Sequence, residues 1–600
     1  MSFSITSVVN MYIVPQNKSL ISHLNFTKII MSEKRWSYKA VPNSQIVNDL
    51  AESLSIDKTL ASMLVQRSIT DFDEAKDFFR PKLEHLHDPF LMADMGKAVN
   101  RLMEAIENGE KIMVYGDYDV DGTTAVALVY GFLSTFYGNL EHYNPDRYEE
   151  GYGVSVQGIE WAAEQGVSLV ICLDCGIKAQ SKVSLAKQKF GIDFIICDHH
   201  EPDENLPDAV AVLDPKRKDC LYPYKELTGN GVGFKLLQAY CLRNEIPLEN
   251  LFEFLDLCVV SIGSDIVPIT GENRVLAYFG LKKLNENPRI GLKALKEIAG
   301  FKTLMTIENV VFVLGPRINA AGRIKHAKAA VQLLLSNDYD EALEFAGEIQ
   351  KQNTERKTFD SRITEEALAM IEGDEWLLNT AKSTVLYRED WHKGVIGIVA
   401  SRCIEKYYRP TIILTKSHEK AAGSARSVAG FNLYGAIEEC ADLLEQFGGH
   451  THAAGMTLPI ENIEAFRMAF DKIVSKTITM EQLTPVVKID LKIKLADISS
   501  KFYRIMNLMA PFGPENMQPI FVSENLTLKY APRVMKEKHL RLELFEEETG
   551  AIFTAVGFGM VEEHFAKLNS TKYFSVAYQI DENTFNNNTT LQLMLKDIKY

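Results

Sequence analysis

The stretch "IDFIICDHH", residues 192–200, climbs through an apolar run to Cys197 and breaks at once into Asp198, His199 and His200. Two other stretches have the same shape. "KIMVYGDYDVDG" (111–122) ends in Asp117, Asp119 and Asp121, and "VSLVICLDCG" (167–176) ends in Asp174. "LDLCVVSIGSDIVP" (255–268) repeats the shape up to Asp265, although its apolar part also fits a helix. The helix-like segments "TTAVALVYGFLSTFYG" (123–138) and "IKAQSKVSLAKQKFG" (177–191) lie between them. Short apolar runs alternating with helices predict βαβ units and a parallel sheet buried on both faces. In such sheets, sites form beyond the carboxyl ends of the strands. The acids and histidines fall there, so segments distant in sequence should converge on one sheet edge.

Working outward, residues 40–110 carry apolar residues at helical spacing, as in "IVNDLAESLSI" (46–56) and "MGKAVNRLMEAIENG" (95–109). Residues 336–375 read as a long polar helix, the kind that bridges domains. A smaller α/β unit follows, with "STVLYRED" (383–390) and "RPTIILTKS" (409–417) as strands around a helical "HKGVIGIVASRCIEKYY" (392–408). It holds the glycine-bearing stretches "AAGSARS" (421–427) and "FGGHTHAAG" (447–455). From Pro485 onward short β-type runs dominate, which suggests a small barrel such as an OB-fold. The division expected is a weakly ordered extension over 1–30, a parallel-sheet domain over 31–335 and a connecting helix over 336–380. A smaller α/β domain over 381–480 and a β-rich OB-fold domain over 481–600 complete it. Residues 1–30 contain no acid and no arginine, lack the compact apolar core of a targeting peptide, and stop just before Met31, an alternative start.

A hydrophobic share of 46% and a charged share of 24% are those of a soluble globular protein. No apolar run reaches the roughly 18–20 residues of a membrane span. Eight cysteines scattered through apolar segments suggest reduced thiols and a cytoplasmic protein. Cys172 and Cys175 form a CxxC with no second pair and no zinc-type histidines, so they read as flanking a strand end. The formal net charge of −15 excludes a wholly basic nucleic-acid binder but not a local basic groove.

A single aspartate at a strand end is ordinarily a helix cap or a turn residue. Its recurrence at several strand ends of one domain is what points to a metal site. Carboxylates and imidazole suit Mn²⁺ or Mg²⁺. Two such ions about 3.5–4 Å apart can clamp an in-line displacement at phosphorus and lower the pKa of the attacking water. Asp174, the one acid of its loop, is the natural bridge. Asp119 would serve one ion, and Asp121, His199 and Asp265 the other. His200 is then free to meet a phosphate oxygen.

These motifs resemble those of the DHH phosphoesterase family, and more closely its RecJ branch of single-strand-specific 5′→3′ DNA exonucleases. They run in order as "VYGDYDVDG" (114–122), "NPDRYEEGYGV" (144–154), "LDCGI" (173–177), "CDHH" (197–200), "SIGSDIVP" (261–268) and "GPRINAAGRI" (315–324). "WHKGVIGIVASR" (391–402), "GSARS" (423–427), "GGHTHAAG" (448–455) and "LMAPFGPENMQPIF" (508–521) continue them. The resemblance implies a DHH catalytic domain joined by a helix to the DHH-associated domain, with single-stranded DNA threading the cleft between them. It implies release of 5′-mononucleotides in recombination and repair, with two Mn²⁺ or Mg²⁺ ions. It further implies a free 5′ DNA end as the substrate, with single-strand-binding protein and a helicase as the expected partners. Asp119, Asp121, Asp174, His199 and Asp265 fall on metal-ligand positions and His200 on the phosphate-contacting one. Asp117 and Asp198 would orient those ligands from behind. Many DHH enzymes have a histidine four residues before the first ligand aspartate. Tyr115 stands there instead, leaving that place to water or another acid.

Beyond the metals, Arg147 can pair bidentately with a phosphate and Tyr152 can stack a base. Ser424 and Arg426, with Arg323 and Arg317, suit a terminal 5′-phosphate, and His450 adds a contact from its glycine-rich stretch. Lys529, Arg533, Lys536, Lys538 and Arg541, beside Tyr530, form a local basic stretch in the β-rich domain. A DHH phosphodiesterase for short oligonucleotides or cyclic dinucleotides shares the metal motifs. Such proteins usually lack the bridging helix and the β-rich domain, so the architecture here favours a polymer.

Overall fold

The computed structural model describes residues 33–147, 149–324, 328–585 and 588–600. The N-terminal extension expected over 1–30 lies outside the described residues. The three acid-ending runs form strands Lys111–Gly116, Val167–Leu173 and Asp193–Cys197 of one parallel five-stranded sheet. Two shorter strands complete its edges, Leu140–Tyr143 beside the first and Ala211–Leu213 beside the last. Both faces are buried, as a parallel sheet requires. Ile112, Val114, Leu169, Ile171 and Ile195 face one apolar layer, and Met113, Tyr115, Val170, Phe194 and Ile196 face the other. The register decides where the site forms. Gly116 pairs with Leu173, Leu173 with Cys197, and Cys197 with Leu213. The chain therefore leaves four strands at one level, and the next residue in each case is an aspartate: Asp117, Asp174, Asp198 and Asp214.

The run ending in Asp265 is a helix, Leu255–Ser264, and not a fourth strand. Every residue from Leu255 to Gly263 is buried. A helix enclosed on all sides is apolar all round and shows no amphipathic period to separate it from a buried strand. The 35-residue helix Tyr339–Gly373 is started by the Asp338 side chain, which accepts from the Glu341 N–H. At about 1.5 Å per residue it is roughly 50 Å long. Its first half packs on helices Ile290–Ile298 and Gly315–Ile324, and a later part on Ile396–Lys406 of the smaller α/β domain. The sheet of that domain orders its strands Gln446–His450, Ala453–Pro459, Lys420–Arg426, Thr411–Ser417 and Thr384–Tyr387. Only the last pair is parallel.

The C-terminal domain is a seven-stranded sheet curled until Leu526–Leu528 pairs with Leu544–Glu546, which closes it as an OB-type barrel. Residues 33–79, expected with the catalytic sheet, belong to this barrel. Arg35–Tyr38 adds a parallel strand to Val486–Ile489. Helices Ser44–Leu54, Lys58–Val65 and Phe72–Phe79 bury Leu50, Leu60, Met63, Leu64 and Ala75 in one core with Phe502, Met506, Phe521 and Leu540.

Arg274, on helix Gly271–Glu286, fastens the barrel to the catalytic domain. Its guanidinium donates to the carbonyls of Phe78, Met509, Ala510 and Pro511 and lies 3.8 Å from the centroid of the Phe78 ring. The Ile269 N–H donates to Pro514 O at 2.8 Å alongside. The motif "APFGPEN" is thus the seam between the two domains.

Candidate metal centre and substrate cleft

Asp119 caps helix Val120–Leu133, accepting from the Gly122 N–H at 3.1 Å, and so stands at the mouth of the strand-end cleft. Asp121, two residues on, is buried and held from three sides. Its carboxylate accepts from the backbone N–H groups of Gly229 (2.6 Å) and Asn230 (2.9 Å) and from the Ser261 hydroxyl (2.7 Å). Those amides open helix Gly229–Arg243, whose N-terminus favours negative charge. Asp174 adopts a left-handed backbone, φ 58°, and its N–H donates to Cys197 O at 2.9 Å. Gly229 packs so closely on it that an added Cβ would lie 2.5 Å from Asp174 Cβ and 2.6 Å from its Cα.

His199 is the pivot. The Leu227 carbonyl lies beside its ring, and Nε2 is the nitrogen turned to the carboxylates. Nε2 faces Asp174 Oδ1 at 3.2 Å, Asp265 Oδ2 at 3.7 Å and Asp121 Oδ2 at 3.8 Å. Burial and the neighbouring His200 charge push the His199 pKa down to about 3, so the ring is neutral and ligand-ready. The carboxylates are pushed the other way. Burial, then the Asp119 charge, raises Asp121 to about 6, and burial with the Asp121 charge holds Asp174 and Asp265 well above the usual range. A neutral imidazole with its lone pair among mutually repelling carboxylates fits a hard divalent cation.

Two groups of potential ligands result, Asp121–His199–Asp265 and Asp117–Asp119–Asp174, each with its atoms within 4.8 Å of one another. Asp174 also joins His199 and His200 in a third such group. Asp117, expected behind the ligands, stands beside Asp119 at ligand distance. Tyr115 turns away from the centre. Its hydroxyl donates to Gly153 O (2.9 Å), accepts from Ser155 N (3.1 Å), and its ring stacks on Tyr143. It therefore braces the loop that carries Tyr152.

Asp198 serves as a bracket. Its Oδ1 accepts from the His199 and His200 N–H groups and from His200 Nδ1 (2.7 Å), and its Oδ2 from Ile177 N. Burial opposes its charge, but the His200 hydrogen bond and the other donors hold it at about 2. The partnership is mutual: against the cost of burial, the Asp198 hydrogen bond and charge raise His200 to about 9. His200 is thus a half-exposed cation at the cleft mouth. The Tyr152 hydroxyl lies 3.0 Å from its Nε2, positioned by left-handed Gly151 and Gly153 on either side.

The smaller α/β domain closes the cleft. Arg426 donates to Ser424 Oγ at 3.1 Å, and its pKa is lowered by burial and then by Arg147 across the gap. Arg147 lies over the Tyr118 ring, and Arg323 donates to Gly394 O at 3.0 Å. His450 is near enough to both Arg426 and His200 to feel their charges. Arg317 is not drawn into this group. It donates to Gln350 Oε1 on the connecting helix and to Val313 O. Tyr530 is exposed, and Arg533 pairs with Arg541 across a hairpin, so the basic stretch forms one edge of the barrel.

Sequence reading missed the cradle Thr228–Gly229–Asn230 with Ser261, and Asp214. The signal was present in "TGNGVGF", a capping threonine before glycines that open a helix. Asp214 is fully buried and raised to about 7, chiefly by burial.

Three family models match the chain in order: the DHH family N-terminal domain over residues 111–262, the DHHA1 domain over 380–476 and the RecJ OB domain over 489–597. The chain is 39% identical over 573 residues to the single-stranded-DNA-specific exonuclease RecJ of Bacillus subtilis, covering 95% of this chain and 71% of that protein. The chain belongs to the RecJ family. To the RecJ of Escherichia coli it is 31% identical, over 84% of this chain and 90% of that one. The crystal structure of RecJ from Thermus thermophilus in complex with Mn²⁺ superposes with a TM-score of 0.82 at 26% identity, covering 94% of this chain and 79% of that one. The expected order of DHH domain, connecting helix, DHH-associated domain and OB domain is therefore the RecJ architecture.

Proposed function

We propose that this RecJ-family exonuclease degrades single-stranded DNA from a free 5′ end to 5′-mononucleotides, with two Mn²⁺ or Mg²⁺ ions as cofactors, in recombination and repair. The observation that carries the reading is the pair of ligand groups at one sheet edge, linked through Asp174 beside His199. Asp119 and Asp174, with Asp117 beside them, would hold one ion, and Asp121, His199 and Asp265 the other. Bound divalent ions neutralise phosphate charge and lower the pKa of an attacking water. The chain's own groups do the rest. Asp198 accepts from the His199 and His200 backbone N–H groups and from His200 Nδ1, so His199 faces the carboxylates through Nε2 and His200 presents its Nε2–H to a phosphate oxygen. Tyr152, beside His200, orders the first nucleotide.

Arg426 and Ser424 on the smaller domain, with Arg147 and Arg323 facing them, receive the terminal 5′-phosphate, and His450 adds a contact from its glycine-rich stretch. Fixing the phosphate there sets which bond lies over the carboxylates, so cleavage proceeds one residue at a time. The basic edge of the barrel binds the strand beyond the cleft. Single-strand-binding protein and a helicase are the partners that would present such strands, in the cytoplasm. Among the described residues no helix is long and apolar enough to cross a membrane.

The test is Mn²⁺-dependent digestion of 5′-phosphorylated single-stranded DNA, duplex DNA and a dinucleotide. Mononucleotides should appear from the single strand, and Asp174→Ala should abolish hydrolysis while DNA binding persists. Cleavage of the dinucleotide with the single strand untouched would sink the proposal.

A further inference from the structure

A second histidine–carboxylate group lies in the OB domain, on elements the metal centre does not use. Glu563 and His564 sit on helix Val561–Ser570 and Asp597 on strand Asn588–Lys599, each offering a ligand atom within 4.8 Å of the others. His564 is 1% exposed and Asp597 3%.

Tyr600 decides the tautomer of His564. Its hydroxyl donates to the His564 carbonyl at 3.2 Å, and the same hydroxyl oxygen lies 3.1 Å from His564 Nδ1. A phenol has one proton to give. With that proton on the carbonyl, Nδ1 must supply the hydrogen of the second bond, and Nε2 keeps the lone pair. Nε2 has no hydrogen-bond partner among the described residues. It faces Glu563 Oε2 at 3.5 Å and Asp597 Oδ1 at 3.9 Å. The other Asp597 oxygen accepts from Trp36 Nε1 at 2.6 Å, which keeps Oδ1 turned toward the imidazole.

A buried lone pair aimed at two carboxylate oxygens is repulsive unless a cation lies between them. Ligands about 2.0–2.2 Å from a tetrahedral Zn²⁺ stand roughly 3.3–3.6 Å from one another. The Nε2 distances approach that spacing, and one nitrogen with two oxygens suits zinc. Glu563, partly exposed, gives an ion its way in. We propose that Glu563, His564 and Asp597 form a zinc site completed by water. Its role is to fasten helix Val561–Ser570 to the last strand and, through Trp36, to the N-terminal strand Arg35–Tyr38.

Asp597→Asn separates this from a solvated or protonated pair. The carboxamide keeps an oxygen for Trp36 and turns its NH₂ toward Nε2, satisfying the lone pair with no ion. The full-length protein, stripped with chelator and re-equilibrated with micromolar zinc, should carry one zinc per chain more than Asp597→Asn by elemental analysis. Crystals of the wild type should show anomalous scattering at the zinc edge between the three side chains. Zinc should raise the melting temperature of the wild type by several degrees more than that of the variant, while exonuclease activity in Mn²⁺ stays the same in both. Equal zinc counts, or no anomalous signal at His564 Nε2, would overturn the assignment.

Discussion

Gly229→Ala tests the metal centre without removing any of its ligands. The added methyl carbon would lie 2.5 Å from Asp174 Cβ, 2.6 Å from its Cα and 2.9 Å from its N. These atoms belong to a backbone already in the left-handed region and tied to Cys197 O, so they cannot swing aside as a side-chain tip can. Restoring ordinary contact near 3.4 Å requires a displacement of roughly 1 Å, either of Asp174 or of the Gly229 amide that holds Asp121. Overpacking of this kind costs about 1–3 kcal/mol of stability. A misplacement of about 1 Å in a catalytic group costs on the order of 100-fold, or about 2.7 kcal/mol of transition-state stabilisation. The assay is release of mononucleotides from 5′-phosphorylated single-stranded DNA over a Mn²⁺ titration, with circular dichroism melting as the control for folding. The expected result is kcat down about 100-fold and a higher Mn²⁺ requirement, with the melting profile shifted by only a few degrees. Near-normal kcat at an unchanged Mn²⁺ requirement would refute the claim that Asp174 and Asp121 are positioned by that helix terminus.

Three other outcomes follow from the same geometry. Arg426→Ala should erase most of the preference for a 5′-phosphate over a 5′-hydroxyl end, with a smaller effect on 5′-hydroxyl substrates; equal losses on both would remove Arg426 from the phosphate pocket. Arg274→Ala leaves the Met509 and Pro511 carbonyls to Asn516 Nδ2 alone and takes the guanidinium from those of Phe78 and Ala510, at roughly 1–3 kcal/mol for each of these two that stays buried. Limited proteolysis should then cut between catalytic and barrel domains while activity on very short substrates persists. Lys235→Met should lower the urea midpoint by the equivalent of about 3–5 kcal/mol, because it strands buried Glu272 with only Tyr222 and the His87 N–H; adding Glu272→Gln should recover part of that loss.

The sheet and most of the centre were legible because the β periodicity ends where the acids begin. Asp119, Asp121 and Asp174 are placed by local strand-to-helix turns, and His199 by the loop that leaves strand Asp193–Cys197, which sequence records directly. Asp265 was legible as an acid but not as a helix terminus, since a fully buried helix has no polar face to set its period. Gly229 and Ser261 act through close approach from elsewhere in the chain, and nothing local marks the residue they approach. Arg317 illustrates the converse: its motif lies beside the cleft, yet the partner that claims it, Gln350, sits on a helix whose packing the motif does not encode. The amphipathic helices before residue 80 announce a buried face and carry no address for it.

That misplaced address has a consequence during synthesis. Residues 33–79 emerge before the catalytic domain, but the apolar surface they cover comes after residue 489, some 400 residues later. At roughly 5–20 residues per second the ribosome needs about 20–80 s to deliver it. Through that interval Leu50, Leu60, Met63 and Leu64 have only each other and lack their partners in the barrel. The nascent chain then carries an apolar face that its barrel does not yet cover, ahead of a complete catalytic domain. The enzyme becomes whole only when its last strand reaches back to its first.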